Sequence, residues 1–379
     1  MSSERTRILH VATRFLASGS ERAVADIIKA LPSDTYEHVL VVGAEHNPMQ
    51  VRMLCGDVQL VVVPWLVRRP DPPRDLLALV DIVRVLQRYR PFILHTIQSK
   101  SGILGRLAGR ITAVPKLVHT VAMANFGPGF HPAASPFFRT AELVAANWTD
   151  EFLVFGTDLR DRFTKAGIGR EDRYEVIRSV VDVQPFRGGA TSDRAAMRAA
   201  LDLPVTAPIV LFAGSLDQRK GAFELPRYFA RVKDIAPDAH LVVAGEGPAR
   251  SFLVERFARL GLGADVTLLG FTPRLPEVIA AADCLIALSS AEGLATVLLL
   301  AAAAGTPFVS YEVDGPRELI TLGATGDVVA LGDWRAAARA TCVSFGRGRP
   351  VPIELPSWSR SVVYAQYRAV FDRLRGSQQ

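Results

Sequence analysis

Short apolar runs alternate along most of the chain with segments whose apolar residues recur every three to four positions. The runs are continuous rather than alternating with polar residues, which is typical of strands in a sheet covered on both faces. Helical segments between such runs predict parallel strands joined by right-handed crossovers. The pattern therefore predicts an α/β protein.

Two series of elements can be distinguished. Strands of the first series are predicted at Ile8–Ala12, His38–Gly43, Gln59–Val63, Phe92–Ile97, Lys116–Ala122, Phe152–Phe155 and Tyr174–Ser179. Its helices are predicted at Glu21–Leu31, Arg74–Tyr89, Gly102–Ile111, Ala134–Ala146 and Thr157–Ala166. The second series has strands at Pro208–Gly214, His240–Ala244, Val266–Leu269, Cys284–Leu288 and Phe308–Tyr311. Its helices are predicted at Ala222–Ile235, Ala249–Leu260, Leu275–Ala281 and Thr296–Ala304.

A polar, glycine-containing stretch, Pro185–Asp193, separates the series. The chain has 379 residues, and a single core stops growing at about 250–300 residues, so we predict two doubly wound domains. Their predicted bounds are 1–185 and 186–356, followed by a helical segment at 357–379. One closed α/β barrel is the alternative, but it requires eight evenly spaced units without the central break.

Composition excludes several classes of protein. Hydrophobic residues make up 49% of the chain and charged residues 22%, which excludes wholesale disorder. The three cysteines form no C-x-x-C pair, so neither a disulfide framework nor a zinc ribbon is expected. The first residues show no signal-peptide pattern, and no apolar stretch is long enough to span a bilayer. A cytoplasmic location is expected.

Charge is unevenly distributed. The net charge is +6, and residues 1–120 hold 16 Lys and Arg against 10 Asp and Glu, also +6. Residues 186–355 hold 17 against 18, a net charge of −1. The basic first third suits an anionic substrate or anionic lipid head groups. Nucleic acid is not expected, because the basic runs are short and no RNA-binding motif of aromatic and basic residues is present.

Candidate chemistry lies where predicted strands end, since ligands of open α/β sheets bind at the carboxyl ends of strands. Four such ends combine glycine with polar or charged residues: Ala17–Arg22, Ala213–Gly221, Ala244–Pro248 and Ser289–Leu294. Glycine lets the backbone approach a ligand, and the adjacent cations Arg219 and Lys220 can neutralise a diphosphate without a metal ion. Glu292 is the candidate acidic group.

Each loop also has a purely structural interpretation. Ser and Glu before a helix are ordinary capping residues, Arg219–Lys220 can be a solvated turn, and Glu292 can compensate a helix dipole. Other nucleotide and metal motifs are absent from the sequence: the dinucleotide fingerprint, the P-loop, H-E-x-x-H and Asp-x-Asp. We expect no metal and no cofactor.

The motifs together resemble the retaining glycosyltransferases of family 4, which have the GT-B fold. Ser18–Arg22 resembles their Gly-Gly-x-Glu-Arg loop, and His95–Gly102 resembles a His-Thr-His-Ser-Ser-Lys-Ala-Gly segment. The second half supplies more of the pattern: Gly214 with Lys220–Gly221, Ala244–Pro248, Glu292–Leu294 with Gly305–Pro307, and Val313–Ile320. The resemblance covers essentially the full chain.

This resemblance implies two Rossmann-like domains facing across a cleft, with the C-terminal helix crossing back to the first. It implies metal-independent, retaining transfer of a sugar from a nucleotide-diphosphate sugar to a glycan or lipid-linked acceptor, in bacterial cell-surface polysaccharide synthesis. The first domain would hold the acceptor and the second the donor. Glu292 and Lys220 would be catalytic, and donor contacts would come from Gly19, Gly214, Arg219, Lys220, Gly245, Gly247, Glu292, Gly293 and Leu294. His95 and His119 are acceptor-side candidates.

Three positions depart from the family pattern. Leu300 replaces a second carboxylate, Ser215 replaces an arginine, for which Arg219 could substitute, and Ala122 replaces a histidine. These departures keep an alternative open: a non-catalytic homologue that acts as a scaffold or regulatory subunit of an active transferase. Other chemistry on the same framework, such as sugar-nucleotide epimerisation, is a third possibility.

A bilayer surface is a further candidate partner. Trp65–Arg69 precedes the helix that carries Arg84 and Arg88, and apolar residues beside cations suit an anionic membrane. An exposed loop followed by a solvated helical face is the alternative interpretation. The expectation is a protein peripheral to the inner face of the membrane.

Overall fold

The computed structural model describes residues 5–16, 19–127, 129–130, 134–187 and 194–377. By their contacts these residues divide into two compact units. The first unit comprises the described residues of 1–127, 131–181 and 356–379, and the second comprises those of 128–130 and 182–355.

The first unit is built on a seven-stranded, fully parallel sheet with strand order β3-β2-β1-β4-β5-β6-β7. Its strands are β1 Thr6–Ala12, β2 Tyr36–Val42, β3 Gln59–Val62, β4 Ile93–Ile97, β5 Lys116–Val121, β6 Glu151–Val154 and β7 Tyr174–Val176. The continuous apolar runs of β1, β2 and β4 are buried on both faces. The chain reverses its direction of winding between β1 and β4, which are neighbours in the sheet.

Helices cover both faces of this sheet. They are α1 Gly19–Ala30, α2 Pro48–Cys55, α3 Pro72–Tyr89, α4 Ser99–Ile111, α5 Ala134–Ala146 and α6 Thr157–Lys165. The last helix of the chain, α15 Arg360–Gly376, also belongs to this unit and packs against α1. Its residues Val363, Tyr367 and Phe371 lie in the same apolar cluster as Ile8 of β1. The C-terminal helix therefore crosses back to the first unit, as the resemblance implied.

The second unit contains a six-stranded parallel sheet with strand order β10-β9-β8-β11-β12-β13. Its strands are β8 Ile209–Ala213, β9 His240–Ala244, β10 Val266–Gly270, β11 Cys284–Ala287, β12 Phe308–Tyr311 and β13 Gly326–Val329. The helices are α7 Gln184–Arg187, α8 Arg194–Ala200, α9 Leu225–Ile235, α10 Arg250–Arg259, α11 Leu275–Ala281, α12 Thr296–Ala304, α13 Pro316–Thr321 and α14 Trp334–Phe345. Here the reversal of winding lies between the neighbouring strands β8 and β11.

The predicted fold class is confirmed, because both sheets are parallel and carry helices between their strands. Four helices that were not predicted, α2, α8, α13 and α14, are present, as are β13 and the short helix α7. Helix α7 occupies the start of the stretch interpreted as a polar connection, and residues 188–193 lie outside the described part. Strand β13 has only two apolar residues, Val328 and Val329, and is half-buried at the sheet edge, so its pattern is too weak to predict.

Candidate active site

The candidate site of the second unit lies where the winding of its sheet reverses. Strands β8 and β11 are neighbours, and helices leave the two strands in opposite directions around the sheet. A crevice forms at such a switch point, outside the carboxyl ends of the strands. Arg219 and Lys220 lie on the loop after β8, and Glu292 lies on the loop after β11. Chain topology therefore places these three residues at one edge of the sheet.

Asp217, which was not among the predicted site residues, holds the loop after β8 in shape. Its Oδ1 accepts a 2.8 Å hydrogen bond from the backbone N–H of Lys220, and its Oδ2 accepts a 2.8 Å bond from the Ser215 hydroxyl. The Ser290 backbone N–H donates to the Arg219 carbonyl at 2.8 Å, which ties the loops after β8 and β11 together. The backbone positions of Arg219 and Lys220 are thus fixed.

Glu292 is paired with both cations. Lys220 Nζ lies 2.5 Å from Glu292 Oε1, and Arg219 Nη1 lies 3.4 Å from Oε2 and 3.1 Å from the Ala291 carbonyl oxygen. Glu292 is only 7% exposed. A carboxylate removed from water to this extent needs a compensating partner, and here two positive charges supply it. The predicted catalytic pair is adjacent in the structure.

A side chain at Gly245 or Gly247 would clash with the backbone of a neighbouring loop. A Cβ at Gly245, whose φ is +153°, would lie 1.8 Å from the Gly214 carbonyl oxygen. A Cβ at Gly247 would lie 2.6 Å from the Leu216 carbonyl oxygen. The loops after β8 and β9 thus approach each other more closely than side chains allow. A contact of either glycine with a nucleoside remains a prediction.

The two predicted site residues that follow Glu292, which are Gly293 and Leu294, lie between β11 and α12. Gly293 is buried, Leu294 is half-buried, and helix α12 begins only at Thr296. Glu292 therefore lies on the loop before the helix rather than in its first turn. Ser215 is exposed, but the neighbouring guanidinium of Arg219 reaches Glu292, so a second cation is present despite the serine. Leu300 is half-buried within α12.

Gln98, which lies within the His95–Gly102 motif but was not predicted as a site residue, organises the loop after β1 in the first unit. Its side-chain carbonyl accepts a 3.1 Å bond from the Thr13 N–H, and its amide donates to Ser20 at 3.0 Å and to Glu21 at 3.3 Å. Gln98 itself has φ +72°, a conformation that is costly for a residue with a Cβ. Gly19 begins α1 beside this network and is exposed, whereas Ser18 lies outside the described residues.

His95 and His119 occupy the interior of the first sheet. His95 is fully buried and His119 is 2% exposed. His95 Nε2 lies 2.8 Å from the Thr120 hydroxyl, and His119 Nδ1 lies 2.9 Å from that of Thr96. Burial in an apolar sheet disfavours the imidazolium and lowers the pKa of both residues, that of His95 to about 3. A role in contacting the acceptor remains a prediction, which this burial does not favour.

Among the described residues, no group of three or more His, Cys, Asp or Glu side chains is arranged to hold a metal ion. Arg219 and Lys220 are the two cations at the site that can bind an anion. Both can neutralise charge on a diphosphate, and the guanidinium can do so through two parallel hydrogen bonds. The arrangement suits chemistry in which a phosphate-bearing group departs.

Two family models match the chain in succession. The model for the glycosyl transferase 4-like domain matches residues 18–179, and that for glycosyl transferases group 1 matches residues 193–341. Together the two matches span most of both units.

Two bacterial glycosyltransferases are similar to this chain in sequence. The UDP-Gal:alpha-D-GlcNAc-diphosphoundecaprenol alpha-1,3-galactosyltransferase of Escherichia coli is 25% identical over 87% of this chain and 85% of its own length. The D-inositol 3-phosphate glycosyltransferase of Mycolicibacterium gilvum is 32% identical over 71% of this chain and 64% of its own length.

Solved structures share the architecture. Anabaena HepE in complex with UDP and glucose superposes with a TM-score of 0.70 at 19% identity, covering 98% of this chain and 100% of its own. WaaG, a glycosyltransferase involved in lipopolysaccharide biosynthesis, gives a TM-score of 0.67 at 15% identity, covering 96% and 95%. At these identities the likeness concerns the fold, which is GT-B.

Proposed function

The chain belongs to the glycosyl transferases of group 1, and we propose that it moves a sugar, with retention of configuration and without a metal ion, from a nucleotide-diphosphate sugar to a glycan or lipid-linked acceptor. The observation that carries the proposal is the pairing of Lys220 and Arg219 with the buried Glu292 at the switch point of the second sheet. Transferase chemistry follows from the family, and the details of the donor and of the mechanism are proposed.

In this proposal the two cations act on the leaving group. When the bond between sugar and diphosphate breaks, negative charge grows on the diphosphate, and Lys220 and Arg219 are already held where they can stabilise it. Glu292 keeps both cations in place before the donor binds and is then close enough to contact the donor sugar. Little reorganisation is needed, because the backbone hydrogen bond from Ser290 to Arg219 ties the loops after β8 and β11 together.

The acceptor class is proposed from the relatives. One relative, by its name, acts on a diphosphoundecaprenol-linked sugar, and another on D-inositol 3-phosphate. WaaG is a glycosyltransferase involved in lipopolysaccharide biosynthesis. We assign this chain, by analogy, to bacterial cell-surface polysaccharide synthesis with a lipid-linked or glycan acceptor.

An acceptor anchored in a membrane would require the enzyme to work at the bilayer surface. No helix among the described residues is long and apolar enough to cross a membrane. Helix α3 exposes Leu76 and Val80 at 63% and 38%, about two turns and one turn, respectively, ahead of the exposed Arg84. The preceding loop exposes Trp65, Arg68 and Arg69. We propose that these residues form a lipid-facing patch on the first unit.

Donor binding and chemistry can be tested separately. In thermal shift assays of the whole chain with UDP, GDP and ADP, we expect one nucleotide to raise the melting temperature. A ligand at a hundred times its dissociation constant stabilises the folded state by about 2.7 kcal/mol. Lys220→Ala and Glu292→Gln should each lower turnover by about 10²–10³-fold, since each removes a fixed charge from the site of bond cleavage.

Lys233→Ala is the matched control, because Lys233 is also a partly buried lysine in the second unit, with its Nζ 2.9 Å from Asp265. This variant should retain turnover. If no nucleotide changes the melting temperature, the proposal is wrong. A nucleotide-dependent shift without turnover on any donor would instead support the scaffold alternative.

A further inference from the structure

The second unit carries a groove that is rich in arginine. Helices α10, α9 and α14 cover one face of the second sheet over a shared apolar core. Two neighbouring cavities of about 360 and 480 Å³ lie along these helices and share Arg227 and Arg256. We call them together the arginine groove, after six lining residues: Arg227, Arg231, Arg256, Arg259, Arg335 and Arg339.

Positive charge in the groove is not balanced by its own acids. Glu255 and Asp234 are the carboxylates among the lining residues, against six arginines. Three of the arginines are paired: Arg227 with Glu224 at 2.9 Å, Arg231 with Asp234 at 3.1 Å and Arg259 with Glu255 at 2.5 Å.

The other three arginines lack such a partner. Arg256, Arg335 and Arg339 form no ion pair with any residue that the structure describes. Each comes from a different turn of α10 or α14, and all line the same 480 Å³ cavity. Three unpaired like charges brought together by folding repel one another, and an anion between them would relieve that repulsion.

Trp334 fixes two of the guanidinium groups. The Cζ atoms of Arg335 and Arg227 lie 4.2 Å and 5.4 Å from the centre of its ring. A guanidinium stacked on an aromatic face keeps its N–H edge free to donate hydrogen bonds. Arg side chains held in this way lose less conformational entropy when a ligand binds, so the groove is partly organised before any ligand arrives.

The ligand chemistry follows from the donors. A guanidinium presents planar, paired N–H groups that match the oxygens of a phosphoryl group, and several guanidiniums favour a ligand with more than one such group. The volume is in the range of small-molecule sites, and Phe223 and Phe252 add an apolar wall at one end. No residue of the arginine groove belongs to the candidate active site.

We propose that the arginine groove is a second anion site, which binds a compound carrying two or more phosphoryl groups. The inference does not depend on the proposed transfer reaction. Such a group can come from a soluble phosphorylated compound or from phospholipid head groups, and the two sources differ in how they can be supplied in an experiment.

Isothermal titration calorimetry of the whole chain with inorganic pyrophosphate measures the affinity of the proposed site. All proteins carry Lys220→Ala, which weakens binding at the candidate active site equally in every protein, so that differences between the proteins report on the groove. The test variant adds Arg256→Gln, Arg335→Gln and Arg339→Gln. The matched control adds Arg170→Gln, Arg317→Gln and Arg347→Gln instead, which removes the same charge from arginines that pair with carboxylates elsewhere.

We expect the test variant to bind pyrophosphate at least about tenfold more weakly than its Lys220→Ala parent at low salt, and the control to bind as the parent does. Circular dichroism and melting curves should show that both variants are folded. The same proteins are then sedimented with phosphatidylcholine vesicles that contain or lack phosphatidylglycerol.

Loss of pyrophosphate binding in the test variant alone supports the site with a soluble ligand. Vesicle binding that is lost only in the test variant, without measurable pyrophosphate binding, assigns the same site to lipid head groups. If the test variant and the control behave alike in both assays, or if the parent binds neither pyrophosphate nor anionic vesicles, the proposal is wrong.

Discussion

At the scale of single residues, the least expected feature is a row of imidazoles inside the first sheet. His10 Nδ1 lies 2.9 Å from His95 Nδ1, and His10 Nε2 lies 3.0 Å from His38 Nδ1. Each contact needs one N–H and one lone pair, and three neutral rings can supply both contacts. Burial lowers the pKa of His38 to about 4 and that of His95 to about 3, and the pKa of His10 is lowered as well.

This row predicts acid sensitivity. Between pH 6.5 and about 4 the unfolded chain binds protons at these histidines and the folded chain does not, so the free energy of unfolding decreases as the pH falls. Each histidine should contribute about 1 kcal/mol per pH unit below 6.5. Urea unfolding at pH 7.5, 6.5 and 5.5 measures the slope. His38→Asn should make it shallower, and equal slopes for variant and wild type would contradict the account.

At the scale of secondary-structure elements, most of both sheets follows from local pattern. All predicted strands are present, because a strand that is covered on both faces is typically a near-continuous apolar run, which is visible in the sequence. Helix α14 was missed because its buried face consists largely of small residues, Ala337, Ala338 and Thr341, which give a weak apolar period. Helix α3 was predicted, but it has more apolar residues than its buried face requires. Ala78, Ile82 and Leu86 are buried, whereas Leu76 and Val80 lie on another face and are exposed.

The exposed face of α3 and the loop before it predict vesicle binding. Trp65→Ala combined with Arg68→Gln and Arg69→Gln should weaken binding to anionic vesicles by about tenfold or more, because each basic residue near such a surface contributes about 1 kcal/mol. Sedimentation at low and high salt measures the effect.

The matched control for this experiment is Arg170→Gln with Arg317→Gln, which removes the same charge from other exposed surfaces. Binding that is unchanged in the patch variant, or equally weakened in the control, would show that the patch does not face the membrane.

At the scale of the whole molecule, the two ends of the sequence belong to one unit. Phe371 of α15 is fully buried against the sheet that contains β1, and its ring centre lies 6.4 Å from that of His95. Asp372 accepts a 2.6 Å hydrogen bond from the Tyr36 hydroxyl, and Arg373 pairs with Glu151 at 2.9 Å. The first unit is therefore completed only by the last residues of the chain.

Phe371→Ala should destabilise the first unit by about 3–5 kcal/mol, the usual cost of removing a buried ring. Val362→Ala, at a position that is 38% exposed, should change stability by less than about 1 kcal/mol. Amide hydrogen exchange separates the units: peptides of β1, β2 and β4 should exchange faster in Phe371→Ala, and peptides of β8 and β9 should not. Equal acceleration in both sheets would contradict this assignment.

The sequence by itself determined the α/β class, the two parallel sheets, and the strand ends at which glycine and charged residues collect, whereas the return of the last helix was expected only from the family resemblance. The features that the sequence determined follow from local patterns, which depend only on residues that are close together in the sequence. Tertiary structure decided the rest. Lys220 and Glu292 are 72 residues apart and meet because β8 and β11 are neighbours, and the histidine row depends on the order of β2, β1 and β4. The six arginines of the groove gather in a region whose net charge is −1, since packing of α9, α10 and α14, not composition, selects which charges become neighbours.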